Sequence, residues 1–247
     1  MSSAAQYTEP NLHTYTPVPG ASPGVCPVCR SGPRPGYAVC RSCTEVTRQV
    51  SHPTTNIVPI SLYTLDSQLW HVLRYYKDGS GPGTELLAAQ VAAIIARFTA
   101  RHLRCVAGLL GGDPAVVTSV PSTRAEPRLG RHPLETAVTR AAALASRYEP
   151  LLVRGPGSAD HNLADDCAFT VSRRLRGERV LVVDDTLTTG ARLQSAVSAL
   201  RLHGASAVAA VVVGRVIDPA WNENCRRIWD QAHETRFSFD RCCLCRD

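Results

Sequence analysis

Lysine is almost absent from this chain. Of its 27 basic residues only Lys77 is lysine; the other 26 are arginine. A Walker A loop needs Gly-Lys followed by Ser or Thr, and Lys77 precedes Asp78, so P-loop nucleotide hydrolysis is excluded. A response-regulator acidic pocket is excluded too, because it needs a lysine on a strand after its acidic one. Schiff-base chemistry is left with one candidate side chain. Long apolar runs are also missing. The longest, over 86–96 and 208–213, fall short of the ~18 apolar residues of a membrane span. The first twenty residues carry neither a basic region nor an apolar core, so no secretory signal is expected. These absences predict a soluble, cytoplasmic protein without a membrane partner.

What remains suits a folded protein. The chain has 247 residues, 44% hydrophobic and 19% charged, enough to bury a core. Its net charge of +6 permits phosphate or nucleic-acid ligands, and arginine favours bidentate phosphate contacts. An arginine excess also follows from a GC-rich genome. Residues 1–24 are polar, rich in Pro, Gly, Ser and Thr, and are expected to form a disordered tail. Residues 218–247 are weakly patterned and are expected to form a C-terminal tail.

Between these ends the pattern alternates. A β-branched stretch over 56–64 predicts a strand, and Asp66 is placed to cap a helix that ends near Tyr76. An apolar stripe of Leu86, Leu87, Val91, Ile94, Ile95 and Phe98 predicts a helix over 83–104. Strands follow over 115–120, 151–153, 179–183 and 205–213, with a candidate edge strand at 169–171 and helices over 133–148 and 190–203. Gly204 stands where the last helix should end. Continuously apolar strands alternating with helices predict an α/β fold with a parallel sheet covered on both faces.

The strand Val180-Leu181-Val182-Val183 runs into Asp184-Asp185-Thr186-Leu187-Thr188-Thr189-Gly190-Ala191. Open α/β sheets bind ligands at the carboxyl ends of their strands. A hydroxyl-rich turn that ends in glycine at a helix start gathers backbone N–H groups at the positive end of the helix dipole. Thr188 and Thr189 add hydroxyl donors. This describes a monophosphate cradle beside two carboxylates. An ionised carboxylate accepts hydrogen bonds, so sugar hydroxyls suit the acidic pair, and Mg²⁺ is the alternative. A Walker B strand ends similarly, but its Walker A partner is missing.

Ten cysteines in a reducing compartment point to metal before disulfides. Cys26-x2-Cys29-x10-Cys40-x2-Cys43 has the spacing of a closed tetrahedral thiolate site. The segment over 25–50 has few apolar residues and needs such a staple, which predicts a structural zinc ribbon rather than a disulfide or redox pair. Cys242, Cys243 and Cys245 read equally as a second metal or redox site or as a free tail. Cys105 and Cys167 read as ordinary small apolar residues.

The run VLVVDDTLTTGA resembles the PRPP-binding signature of type I phosphoribosyltransferases. The wider chain is similar to the ComF branch, which joins an N-terminal zinc ribbon to a phosphoribosyltransferase domain. The segments over 71–79, 117–124 and 152–154 carry that similarity, which spans about 25–217. The resemblance implies a phosphoribosyltransferase-like domain over 55–217 and Mg²⁺-dependent transfer of 5-phosphoribosyl from PRPP to an unknown nucleophilic acceptor. Asp184 and Asp185 would hold the ribose 2′- and 3′-hydroxyls, and Thr186, Leu187, Thr188, Thr189 and Gly190 the 5′-phosphate. Ser122, Thr123 and Arg124 would meet pyrophosphate and its Mg²⁺, with Asp184, Asp185 and Arg124 as the catalytic set. The loop over 155–166, with His161, would form a lid.

The chain departs from the branch at 129–135, at Asp165-Asp166-Cys167, and at Arg192, where a threonine is common. These departures lie mostly on the acceptor side and leave two alternatives open. One is a non-catalytic PRPP or nucleotide sensor. The other is a ComF-like accessory protein that binds single-stranded nucleic acid weakly, using arginines such as Arg173, Arg174, Arg176 and Arg179 that otherwise read as a solvated edge.

Overall fold

The computed structural model describes residues 3–77, 82–121 and 132–245. The chain runs through α1 (Ala4–Thr8), a 3-10 turn (Glu9–Thr14), α2 (Arg41–Thr47), β1 (Ile57–Tyr63), α3 (Gln68–Tyr75) and α4 (Pro82–Leu110). It continues through β2 (Val116–Ser119), α5 (Pro133–Arg140), α6 (Ala142–Ala145), β3 (Leu152–Arg154) and β4 (Phe169–Val171). It ends with β5 (Arg179–Leu187), α7 (Ala191–Leu202), β6 (Ala207–Val216) and α8 (Glu223–Glu234).

The strands β1, β6, β5 and β2 form a parallel sheet in that order. Apolar residues on its two faces feed two cores. Leu181, Val183, Ala209, Val211 and Val213 face the core built with α3, α4 and α5. Val180, Val182, Val208, Ala210 and Val212 face the core shared with α7. This is the expected α/β fold, a parallel sheet flanked by helices.

β3 and β4 do not join that sheet. They pair antiparallel as a separate hairpin, with Leu152 opposite Val171 and Arg154 opposite Phe169. The expected edge strand is therefore half of a small hood whose connecting loop spans 155–168. Helix α3 starts one residue later than expected: Ser67, not Asp66, caps it by accepting from Trp70 N at 3.2 Å. The helix expected over 133–148 breaks at Ala141, which is extended and fully buried. No Gly or Pro marks that break, so packing rather than propensity sets it.

α4 runs past 104 to Leu110, where Gly111 takes positive φ. It is long and apolar enough to cross a membrane by length and composition. Here it is the central helix of one core, with Val91, Ile94, Ile95 and Phe98 buried.

Both expected tails are structured. α1 packs on α4, where Thr8 is fully buried and accepts from Arg97 at 2.7 Å, while Glu9 pairs with the same arginine at 2.6 Å. Thr16 O accepts from Leu62 N at 2.9 Å, extending the edge of β1. These are single polar anchors without a period, so composition does not show them. At the other end, Asn222 caps α8 by accepting from Cys225 N, and Cys225, Ile228 and Ala232 are its buried stripe.

Candidate functional site

The described part of the site is built where β5 meets α7. β5 runs through Leu187, four residues beyond the expected strand end. In a strand successive side chains leave opposite faces, so Asp184 and Asp185 diverge. Asp184 lines a cavity of about 550 Å³ together with Thr186, Leu187, Thr188, Thr189 and Gly190. Asp185 is not among the residues lining it. Its Oδ2 instead accepts from the Tyr76 hydroxyl at 2.5 Å and pairs with the Lys77 ammonium. Thr186 donates to its other oxygen at 3.2 Å.

This division gives the two buried carboxylates different proton affinities. Burial and the neighbouring Asp185 charge push Asp184 up to about 7, against the pull of Arg192 and Lys77. Burial also acts on Asp185, but Lys77, the Tyr76 hydroxyl and Arg192 outweigh it and hold Asp185 below the ordinary carboxylate range. The two are linked through the backbone, Asp185 N donating to Asp184 Oδ1 at 2.9 Å. Tyr76 and Lys77 are thus part of the site. The sequence offers no signal that α3 ends against β5, because that contact is purely tertiary.

Gly190 opens α7 with φ +88°, ψ 0°. A Cβ there would find ordinary contacts, the nearest being a Leu187 methyl at 3.5 Å. Backbone conformation, not space, therefore calls for glycine. Thr188 is exposed, and Thr186 and Thr189 are half-buried on the cavity wall. Arg192, near the start of the helix, also lines the cavity and donates to Pro121 O. Its Nε is buried and unpaired. Ser122, Thr123 and Arg124 lie outside the described residues; Pro121 before them lines the cavity.

The loop expected as a lid forms the opposite wall, with Gly155, Gly157, Ser158, Asp160 and His161 lining the cavity. It is tied down on three sides. Gln49 accepts from Ala164 N at 2.6 Å and donates to Asn162 O at 3.1 Å. Asp166 accepts from Ser51 and Ser198, and Ser195 Oγ accepts from Asp165 N. Asn162 N donates to Thr189 Oγ1 at 3.3 Å, joining the loop to the turn between β5 and α7. Cys167, expected as a small apolar residue, is exposed at its end.

Cys26, Cys29, Cys40 and Cys43 come together as expected. They are buried, and their sulfurs lie within 4.8 Å of one another, with Cys29 and Cys40 at 3.6 Å. Four thiolates at this spacing can hold one tetrahedral metal ion, and the donor set fits a small zinc ribbon. The other three thiols and the Arg215 guanidinium hold Cys29 well below the ordinary thiol range. The cluster shares a core with Leu187, Leu193 and Val212, so the ribbon packs against the sheet. No motif marks Arg215, yet it is buried between the cysteines and the turn that opens α7.

The arginine edge is partly committed to carboxylates: Arg173 binds Glu149 and Glu178 at 2.7–2.8 Å. Arg179 donates to Asp113 O.

No curated protein matches the chain. Residues 131–235 match the family model described as the phosphoribosyl transferase domain, a span that contains β5, the turn through Gly190 and α7, so this part of the chain is similar to that family.

Proposed function

We propose that the protein transfers a 5-phosphoribosyl group from PRPP to a nucleophilic acceptor, releasing pyrophosphate. The observation that carries this reading is the positive-φ turn at Gly190, which opens α7 onto a cavity walled by Asp184 and three threonines. Backbone N–H groups and the α7 dipole suit a terminal phosphate there. Thr186, Leu187, Thr188, Thr189 and Gly190 hold the 5′-phosphate. Asp184 accepts from a ribose hydroxyl at the cavity wall. Asp185, which does not line the cavity, sets the register of that wall from its anchorage on Tyr76 and Lys77.

In the reaction the acceptor's lone pair forms a bond to ribose C1. The C1–O bond breaks, its electrons leave with pyrophosphate, and the acceptor sheds its proton. Negative charge grows on the leaving group, where fixed positive groups act most strongly. Arg192 faces the cavity, and Arg124, with Ser122 and Thr123, follows Pro121 in the chain. Hard oxygen donors at Asp184 fit Mg²⁺, which binds through one or two carboxylates plus substrate oxygens. When bound, that ion supplies charge neutralisation on the pyrophosphate. The loop over 155–166 excludes water from C1. The N-terminal four-cysteine site holds a structural zinc, since it has no open position for a substrate.

Pyrophosphate release tests the reading. The protein with Mg²⁺ and PRPP is offered a panel of nucleobases and amines. Acceptor-dependent release supports transfer. PRPP binding without release from any acceptor supports the sensor reading instead.

A further inference from the structure

Three sulfurs and an imidazole meet where the C-terminal segment crosses α4. His102 and Cys105 are three residues apart on that helix, so their side chains share a face. Cys242 and Cys245 flank a tight turn closed by Cys245 N donating to Cys242 O at 3.0 Å. The sulfurs of Cys242 and Cys245 are 3.6 Å apart. His102 Nδ1 lies 3.7 Å from Cys245 Sγ and 3.8 Å from Cys105 Sγ. All four donor atoms fall within 4.8 Å of one another, and the cysteines are free thiols.

This spacing is that of ligands around one ion. Zinc–sulfur and zinc–nitrogen bonds of about 2.3 and 2.05 Å put neighbouring tetrahedral ligand atoms roughly 3.5–3.8 Å apart. The N-terminal cluster has the same spacing, 3.6 Å between Cys29 and Cys40.

The orientation of His102 is an independent observation. Its Nε2 lies 2.9 Å from Phe239 O, and a carbonyl only accepts. Nε2 therefore carries the ring proton, and the Nδ1 lone pair faces the sulfurs. A metal-bound imidazole is held in this way by a backbone carbonyl behind it. Cys242 N also donates to Cys245 Sγ at 3.3 Å, a bond that favours the thiolate. Cys243, between the two, is buried toward the core.

We propose that His102, Cys105, Cys242 and Cys245 form a second metal site, a structural zinc centre of three thiolates and one imidazole that pins the C-terminal segment to α4. Soft thiolates select zinc over hard cations, and four protein ligands leave no open position for catalysis. The ion holds in place the aromatic cluster beside it. Phe237 and Phe239 pack edge-on against Tyr15 at 5.3 and 6.1 Å, and Arg97 sits 4.5 Å over Phe239. Because Arg97 also binds Thr8 and Glu9, the centre secures both chain ends on α4.

The test uses full-length protein purified in reductant without chelator. Metal analysis should find two zinc ions per chain. Cys245→Ser and Cys242→Ser should each lower this to one, with X-ray absorption showing an all-sulfur shell for the zinc that remains. His102→Cys should retain two. A second measurement needs no variant. A thiol-alkylating reagent should label exposed Cys167 at once, but Cys105, Cys242 and Cys245 only after chelator is added. One zinc per chain, unchanged by Cys245→Ser, would overturn the proposal. Immediate labelling of Cys105, Cys242 and Cys245, or a Cys242–Cys245 disulfide in the reduced preparation, would overturn it as well.

Discussion

Arg215 stands 3.4 Å from Cys29 Sγ through one terminal nitrogen, and through the other it donates to the carbonyls of Leu187 and Thr188 at 3.0 and 2.6 Å. A single buried guanidinium thus joins the N-terminal cysteine cluster to the turn that faces the cavity. Four thiolates holding a divalent ion would carry net negative charge, and the buried Arg215 is placed to offset part of it. Its Nη1 also fixes two carbonyls at the turn that opens α7, so the N–H groups on the other side of those peptides keep their direction.

Arg215→Leu removes the charge and its hydrogen bonds to two carbonyls. Loss of one partner from a buried charged contact costs about 3–5 kcal/mol. The variant should release zinc to chelator faster and bind PRPP at least tenfold more weakly, although Arg215 does not line the cavity. Arg215→Lys should fall between, since an ammonium lacks the planar fork. Unchanged PRPP affinity in Arg215→Leu would mean that the ribbon and the turn are independent.

The pairing of Lys77 with Asp185 makes a prediction about charge balance. Lys77→Met leaves a buried carboxylate with hydroxyl partners only, and should cost about 3 kcal/mol, a melting shift of roughly 6–12 °C. Adding Asp185→Asn to Lys77→Met removes the orphaned charge and should recover part of that loss. A thermal-melt double-mutant cycle measures the coupling; strict additivity of the two losses would show that the pair does not exist in solution.

Asp184 and Asp185 should act on stability with opposite signs. Asp184 is raised from 3.8 to about 7 in the folded protein, so between about pH 4 and 7 the folded state holds a proton that the unfolded state has lost. The contribution of Asp184 to stability should then fall as pH rises through that window, by up to about 4 kcal/mol. Asp185 is lowered, so its contribution is full above the unfolded value and lost as pH falls below it. Denaturant melts of Asp184→Asn should lack the decline between pH 4 and 7. His102 and His132, both lowered by burial, act with the opposite sign in this window, so the assignment would be contradicted by a wild-type-minus-Asp184→Asn difference that does not fall across it.

The β5–turn–α7 unit is legible in the sequence because every level agrees there: an apolar run, hydroxylated residues, glycine, then a helix. The side-chain split at Asp184 and Asp185 is not, because it depends on where the strand stops. Extended backbone persists to Leu187 since Thr186 and Leu187 pair with Gly214 and Arg215 of β6. The chain ends escape a sequence reading for a different reason. Thr8, Glu9 and Thr16 anchor the N-terminal segment through single polar contacts, which leave no period to read. Cys105 reads as a small apolar residue because its neighbours in space, Cys242 and Cys245, are far away in sequence. His102 gains meaning only once its ring is seen to face them.

Turn conformation and hydroxyl chemistry can be separated by substitution. Thr189→Val removes one hydroxyl and the acceptor for Asn162 N, and should weaken PRPP several-fold. Gly190→Ala keeps the space but strains positive φ, a cost of about 1–3 kcal/mol. Gly190→Val adds β-branching and should cost more than either. Affinities that rank Thr189→Val as the most damaging would show that side chains, not the backbone turn, hold the phosphate.

The proposed PRPP site consists of the turn from Thr186 to Gly190 and the Asp184 carboxylate. Isothermal titration of the full-length protein with PRPP and Mg²⁺ tests it most directly. Wild type should bind at one site per chain. Asp184→Asn should lose ten- to a hundredfold in affinity, because hydrogen bonds to a charged group are worth about 1.5–3 kcal/mol, and Gly190→Val should lose at least as much. No binding by wild type at millimolar PRPP, or equal binding by all three proteins, would mean that this turn and Asp184 do not hold PRPP.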